Sequence, residues 1–157
     1  MTPGQQDGGD RIADQVMREA LSWVGTPYRH QGDRKGVGCD CLGLVRGVWR
    51  QVYGSDAEHP GAYSFDWAEA NDEERLLAGV RRHLDEKDVC EARPGDLLLF
   101  RWRPRLPVKH AGILIAENRF VHAYQGGGGV SASALVPQWR RRIAAVFAFP
   151  EQPDIPT

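Results

Sequence analysis

Three side chains in this sequence have the types and spacing that nucleophilic catalysis by a thiol requires: Cys41, His110 and His122. Cys41 follows a polar, glycine-rich segment and opens a stretch whose apolar residues recur every three or four positions, which predicts a helix beginning near it. The free N–H groups at a helix start stabilise an anion, so we expect this thiol to have a lowered pKa and to be partly ionised. A thiolate attacks carbonyl carbon, and the same N–H groups help to hold the resulting oxyanion. Gly43 is expected to leave room for a substrate backbone.

The two histidines lie in short apolar runs that predict a β-hairpin with its turn near residues 117–119. A regular two-residue loop at 117–118 places the imidazoles on opposite faces of the hairpin. A three-residue loop at 116–118, or a bulge of equal effect, places both on one face. Only the second arrangement allows His110 to act as general base while His122 fixes its tautomer.

Plainer interpretations of the same residues remain open. A lone cysteine is most often a small buried hydrophobe, and a strand histidine is most often partly exposed. A zinc site of Cys39, Cys41, His110 and His122 is a further alternative, although Cys-x-Cys is a poor match to the usual zinc spacing. Cys39 precedes the predicted helix and is expected to be structural or a site of oxidation. Cys90 is expected to be inert.

Composition limits the possible classes of protein. The 157 residues fit one domain, and 41% hydrophobic with 26% charged residues is ordinary for a globular chain. An odd number of cysteines, 3, argues against a disulfide framework. The net charge of −1 argues against a nucleic-acid protein held by bulk charge. The predicted chemistry requires no cofactor and no metal.

Neither a transmembrane helix nor a secretory signal is expected. The sequence has no run of 18 apolar residues, and residues 1–10 lack the apolar core of a signal peptide. Synthesis in the cytoplasm is therefore expected, with delivery elsewhere requiring another carrier.

The elements that must position the three side chains fall into a helical half and a strand half. Apolar spacing predicts helices over 11–24, from about Cys41 to Gly54, and behind a capping box at Asn71 and Glu74. Short apolar runs predict strands at 96–100, 111–116, 120–122, 130–134 and 143–149. Helices followed by strands indicate an α+β domain over residues 11–149, with a flexible lead at 1–10 and a proline-rich tail at 150–157.

With these residues in place, the sequence resembles the NlpC/P60 family of cell-wall cysteine peptidases. The resemblance covers about residues 11–149 and rests on five motifs in order: GTPYRH at 25–30, DCLGLV at 40–45, PGDLLLF at 94–100, HAGI at 110–113 and FVHA at 120–123. One motif alone is weak, whereas the ordered series is specific.

The resemblance implies a papain-like fold in which N-terminal helices pack on a C-terminal antiparallel sheet. It implies hydrolysis of the γ-D-glutamyl–diamino acid bond in peptidoglycan stem peptides. By matching position, Cys41 is the nucleophile, His110 the base and His122 the polar third residue. Tyr28 matches a tyrosine that hydrogen-bonds the substrate or assists the oxyanion. Asp40 matches an acid that in some members meets a free amino end of the stem peptide.

The sequence also departs from the family pattern. Leu42 stands where serine is usual, and His30 and Gln31 replace an aromatic residue and a glycine. The DCLGL motif with its TPYRH opening is most similar to the phage branch of the family, which includes gene transfer agents. That similarity implies tail-tip proteins as partners and delivery to the cell wall by a phage-like particle. The alternative is a structural tail-tip component with the same fold and little activity in isolation.

Two basic segments, Arg101–Lys109 and Arg140–Arg142, have no part in this chemistry. Each is interpreted either as a solvated surface or as a site that docks a tail protein or the carboxylates of the wall. Trp102 is expected to be exposed among the cations of the first segment.

Overall fold

A computed structural model describes residues 8–57 and 74–151. Helices in the described residues span Gly8–Ser22 (α1), Cys41–Tyr53 (α2), Arg75–Arg81 (α3) and Pro137–Arg140 (α4). Strands span Asp33–Arg34 (β1), Gly38–Cys39 (β2), Asp85–Lys87 (β3), Leu97–Phe100 (β4), His110–Ala116 (β5), Arg119–Tyr124 (β6), Gly129–Ala134 (β7) and Ile143–Ala148 (β8). Short 3-10 turns lie at Val89–Glu91 and Gln125–Gly127. The predicted α+β class is confirmed, and the five predicted strands lie within two residues of their expected ends.

Six strands form one antiparallel sheet in the order β3-β8-β4-β5-β6-β7, and β1 and β2 form a small separate pair. β5 therefore lies inside the sheet, with β4 on one side and β6 on the other. Helix α2 contacts both β5 and β6. This arrangement brings the N-terminal helices onto the C-terminal sheet, as the resemblance implies.

The helices and one face of the sheet share the larger hydrophobic core. Val16 and Ala20 of α1 and Leu44 and Val48 of α2 are fully buried in it. Trp23, the residue directly after α1, packs closely on α2 at Gly47, where an added Cβ would lie 2.1 Å from the Trp23 ring. The opposite face buries a second cluster that includes Leu98, Phe100, Leu114, Phe120, Leu135 and Val146. Because both faces are covered, β4 shows a continuous apolar run without alternation.

The N-terminal helix differs from its predicted span. It begins at Gly8, inside the predicted lead, because apolar periodicity carries no signal for polar residues at a helix start. It ends at Ser22, so Val24 leaves the helical stripe and is 46% exposed. Trp23 is buried instead, and its indole N–H donates to Glu19 at 2.9 Å.

The predicted capping box at the third helix is wrong for Glu74. α3 begins at Arg75, so Glu74 is the residue before the helix and makes no capping hydrogen bond. Its carboxylate accepts the Val108 backbone N–H at 2.7 Å and pairs with Arg101 instead. Asn71 lies outside the described residues. None of the helices in the described ranges is long and apolar enough to cross a membrane.

Candidate active site

Helix α2 begins at Cys41, which places this thiol in the first turn as predicted. Asp40 is the N-cap, and its Oδ1 accepts the Gly43 N–H at 2.8 Å. Its Oδ2 accepts the Gln31 N–H at 2.7 Å. The Asp40 carboxylate therefore joins the start of the nucleophile helix to the loop that carries Tyr28.

Gly43 lies where helix α2 meets loop 28–38. The expectation that it makes room for substrate is wrong. An added Cβ at Gly43 would lie 1.7 Å from the Gly32 carbonyl oxygen. The space that a side chain would need is occupied by the protein's own backbone. Gly43 thus allows loop 28–38 to lie directly against α2.

The hairpin of β5 and β6 has the register that brings both histidines to one face. Ala116 pairs with Arg119 across a two-residue turn, but the register shifts between Leu114 and Ala116, after which Ile113 pairs with Val121. A bulge therefore has the effect of a three-residue loop. The predicted requirement is met in its bulged form.

The two imidazoles are joined by a direct hydrogen bond. His110 Nε2 lies 2.9 Å from His122 Nδ1, and both rings are buried. Because Nε2 of His110 is engaged, Nδ1 is the nitrogen that remains to accept a proton from a thiol. The sulfur of Cys41 lies against the same end of β5, 4.0 Å from the carbonyl oxygen of Lys109 to which it donates. The backbone N–H of Ala111 also hydrogen-bonds this sulfur, so backbone groups of the residues before and after His110 both contact it.

Burial holds this group of side chains in neutral form. It raises the pKa of Cys41 to about 12, and Asp40 adds to the increase, whereas the backbone N–H groups of Ala111 and Leu42 act in the opposite direction. Burial lowers the pKa of His110 to about 3, with a contribution from His122, and lowers the pKa of His122 to about 4. The expected lowered pKa and partly ionised thiol are therefore wrong. A helix start lowers a thiol pKa only where burial does not dominate.

Tyr28 and Asp40 are the two further residues that the resemblance assigns to the site. Tyr28 forms an isolated parallel β-bridge with Cys39 through the backbone, and its side chain is partly buried. Burial raises the pKa of its phenol, and Asp40, Cys41 and Cys39 raise it further. Both oxygens of Asp40 accept backbone N–H groups, so its observed role is to position the helix start.

Two serines behind His122 were not identified from the sequence. His122 Nε2 lies 3.1 Å from Ser133 Oγ, which lies 3.0 Å from Ser131 Oγ. For His110 to accept at Nδ1, its Nε2 must donate to His122, and His122 must then donate to Ser133. Ser133 can meet this requirement by donating onward to Ser131. The available sequence signal was that Ser131 and Ser133 alternate along β7 and so lie on one face of the strand. In the structure Ser131 pairs with His122 of β6.

An aromatic enclosure surrounds the histidines, and it corrects the expectation for Trp102. Trp102 is half-buried and stacks on His110, with ring centroids 5.4 Å apart and planes inclined by 24°. The ring centroid of Trp139 lies 5.4 Å from that of His110 and 5.1 Å from that of His122. Tyr124 stacks on His122 at 5.8 Å. Burial, to which this enclosure contributes, lowers the pKa of both histidines, and His122 lowers the pKa of His110 further.

The remaining cysteines lie outside this arrangement. Cys39 is fully buried, and burial together with Asp40 raises its pKa to about 12. Cys90 is exposed. Among residues 8–57 and 74–151, no group of three potential ligands is placed to hold a metal ion.

Comparison with known proteins agrees with this fold. The NlpC/P60 family matches residues 25–147, a stretch that includes Tyr28, Asp40, Cys41, His110 and His122. The chain belongs to the NlpC/P60 family.

Individual relatives are more distant. The chain is 28% identical over 131 residues to the murein DD-endopeptidase MepS/murein LD-carboxypeptidase of Escherichia coli K12, covering 83% of this chain and 60% of the relative. It is 30% identical over 134 residues to a probable endopeptidase NlpC homolog of Haemophilus influenzae, covering 85% of this chain and 59% of the relative. The chain thus spans about three fifths of the length of these curated relatives.

The fold agrees with solved structures of the family. The NlpC/p60 domain of the peptidoglycan hydrolase SagA matches with a TM-score of 0.62 at 24% identity, covering 87% of this chain and 98% of that domain. At this identity the likeness concerns the fold alone. It confirms the predicted architecture of helices on an antiparallel sheet.

Proposed function

We propose that this chain is a cysteine endopeptidase that hydrolyses the γ-D-glutamyl–diamino acid bond of peptidoglycan stem peptides. The main observation in support is that a thiol at a helix start lies against strand β5, whose His110 is hydrogen-bonded to His122. Relatives described as endopeptidases support the reaction class. The particular bond rests on the family resemblance.

In the first half of the reaction, His110 Nδ1 takes the proton of Cys41 as the sulfur attacks the scissile carbonyl carbon. The carbon–sulfur bond forms, and the carbonyl electrons move to oxygen, where backbone N–H groups at the start of α2 and the Tyr28 phenol stabilise the charge. The oxyanion then collapses, and the carbon–nitrogen bond breaks. His110 returns its proton to the leaving amine, which leaves a thioester on Cys41.

In the second half, His110 removes a proton from water as the water oxygen attacks the thioester carbon. Collapse of this second intermediate breaks the carbon–sulfur bond and releases a carboxylic acid, which loses its proton to water. The proton on His110 returns to the sulfur. Throughout both halves, His122 accepts from His110 Nε2 and so keeps Nδ1 in the reactive position.

The test uses intact peptidoglycan and a defined tetrapeptide, with products analysed by mass spectrometry. The wild-type chain is expected to release a new fragment with the diamino acid at its amino terminus. Cys41→Ala should abolish that product, whereas Cys90→Ala, which changes an exposed cysteine, should retain it. Equal cleavage by Cys41→Ala and the wild type would contradict the assignment of the nucleophile.

A structural tail-tip component with little activity in isolation is the second candidate. The observation that favours it is the buried, neutral thiol, which is 7% exposed as a residue. Under this alternative, the folded chain cleaves neither substrate by itself.

The route to the wall is proposed separately from the chemistry. Similarity of the DCLGL and TPYRH motifs to the phage branch supports incorporation into a phage-like particle, with tail-tip proteins as partners and action at the cell wall. Detection of this chain in purified particles by mass spectrometry tests the route. Its absence from such particles, despite expression in the same cells, would argue against it.

A further inference from the structure

The two basic segments, which are far apart in sequence, meet in one groove beside the histidine pair. The Arg101 N–H donates to the Arg142 carbonyl oxygen at 2.8 Å, which joins the loop after β4 to the start of β8. The groove is lined by residues from both segments, including Arg101, Trp102, Arg103, Pro104, Arg141 and Arg142. We name it the basic groove.

The loop that forms one wall of this groove is fixed by specific contacts. Glu74 accepts the Val108 N–H at 2.7 Å and pairs with Arg101, so one carboxylate holds both ends of the loop. The Leu106 N–H donates to the Arg103 carbonyl oxygen at 3.0 Å and closes a turn between them. The wall is therefore held in place before any ligand arrives, which reduces the ordering cost of binding.

Three cations of the groove have no carboxylate partner among the described residues. Arg101 is satisfied by Glu74, whereas Arg103, Arg141 and Arg142 are exposed. The Arg142 guanidinium carbon lies 5.7 Å from the ring centroids of both Trp102 and Trp139, so two indoles hold it in place. Because a cation–π contact uses none of the guanidinium N–H donors, these donors remain for a carboxylate. In a chain whose net charge is −1, this local excess of positive charge fits an anionic ligand.

The position of the groove indicates which part of a substrate it meets. Trp102 lines the groove and also stacks on His110, so one indole separates the groove from the imidazole. In the proposed reaction His110 protonates the leaving amine, which requires the leaving fragment to lie beside that imidazole. The diamino acid of a stem peptide supplies this amine, and its carboxylate then lies toward the cations.

We propose that the basic groove is a subsite for a carboxylate of the leaving diamino acid, with Arg142 as its anchor and Arg103 and Arg141 as supporting cations. This proposal rests on the proposed function. It assigns a preference for a diamino acid that bears a free carboxylate over one in which that group is an amide. A bound carboxylate also offsets the positive potential beside His110 and so favours the imidazolium that forms when the thiol gives up its proton.

The test is a cycle of two enzymes and two substrates. The substrates are tetrapeptides identical except that the diamino acid carries either a free side-chain carboxylate, as in diaminopimelate, or its carboxamide. The wild type is expected to cleave the acid with a kcat/KM about tenfold or more above that of the amide, the effect of one charge-assisted contact. Arg142→Gln should remove most of this preference by lowering kcat/KM for the acid only. Arg34→Gln, which changes an exposed arginine of β1, is the matched control and should keep the preference.

Two further measurements separate the possible failures. Arg103→Gln and Arg141→Gln change cations that do not pack on the indoles, so a reduced preference in these variants does not depend on the folding of Arg142→Gln. Binding of both peptides to Cys41→Ala, followed by calorimetry, does not require catalysis. Tighter binding of the acid that is lost with Arg142→Gln would support the groove even if the wild type cleaved nothing, which would contradict the proposed function alone.

Several outcomes would overturn the groove proposal. Cleavage of both peptides with equal kcat/KM by the wild type would do so. Retention of the full preference in Arg142→Gln and in the Arg103→Gln/Arg141→Gln double variant would do so as well. Inorganic phosphate that competes as strongly as the acid peptide binds would indicate a general anion site and contradict the carboxylate assignment.

Discussion

Acidification is expected to destabilise this protein through its histidine pair. In the unfolded chain both imidazoles bind a proton near pH 6.5, whereas in the folded chain they do so only near pH 3 for His110 and pH 4 for His122. The unfolded state therefore binds more protons below pH 6.5, and the free energy of unfolding falls as the pH falls. Each histidine contributes a slope of about 1.4 kcal/mol per pH unit. Between pH 7.5 and 4.5 the pair accounts for a loss of up to about 5 kcal/mol, a large part of the usual stability of a domain.

Urea unfolding at half-unit steps of pH, followed by circular dichroism, measures this loss. His122→Gln should halve the slope, because one buried imidazole remains. Cys41→Ala should leave the slope unchanged, because both imidazoles remain. A free energy of unfolding that is constant from pH 7.5 to 4.5, or a slope that His122→Gln does not change, would refute the burial argument.

Three further predictions concern the site and the loop against it. Ser133→Ala should lower kcat by about tenfold, the effect of one lost hydrogen bond. Ser131→Ala should lower it by less, since the Ser131 hydroxyl hydrogen-bonds Ser133 rather than His122. Steady-state kinetics with nitrogen NMR of the histidine tautomers would check this, and equal kcat in the wild type and Ser133→Ala would contradict it. Gly43→Ala should destabilise the fold by about 1–3 kcal/mol because its methyl group overlaps the opposing carbonyl, and an unchanged melting temperature would contradict this. Alkylation of Cys41 by iodoacetamide should be slow at pH 7 and rise about tenfold per pH unit up to pH 10, as the thiolate fraction grows toward a pKa of about 12, and a plateau near pH 7 in mass spectrometry would contradict it.

The parts of the site that depend on local sequence were predictable. A polar, glycine-rich segment followed by an apolar stripe predicts a helix start, so the position of Cys41 in the first turn follows from adjacent residues. Five strands, β4 to β8, were also predictable, because their apolar runs are short and separated, whereas the polar strand β3 gave no such signal. The two candidate registers of the histidine hairpin were identified, but the choice between them depends on a bulge beside Ile115 that composition does not encode.

The parts that depend on distant segments were not predictable. Trp102 was expected to be exposed because its neighbours in sequence are cations, whereas its neighbours in space are His110 and Trp139. The pKa of Cys41 was expected to be lowered by the helix start, a local effect, and is raised by burial, a tertiary one. Ser133 gave only a weak signal, since a serine in a strand is common and its hydrogen bond to His122 depends on the pairing of β6 with β7.

The sheet order has a consequence for when the site is assembled. β8 is the last strand of the described chain, yet it inserts between β3 and β4, and Trp139 and Arg142 precede it directly. During synthesis, Cys41 is therefore added to the chain about one hundred residues before Trp139 and Arg142, which lie near His110 in the folded protein. This is a delay of roughly 5–20 seconds at ordinary elongation rates. Until that strand enters the middle of the sheet, the nascent chain holds a nucleophile without an enclosed base. Completion of the fold and completion of the site are thus the same late event in synthesis.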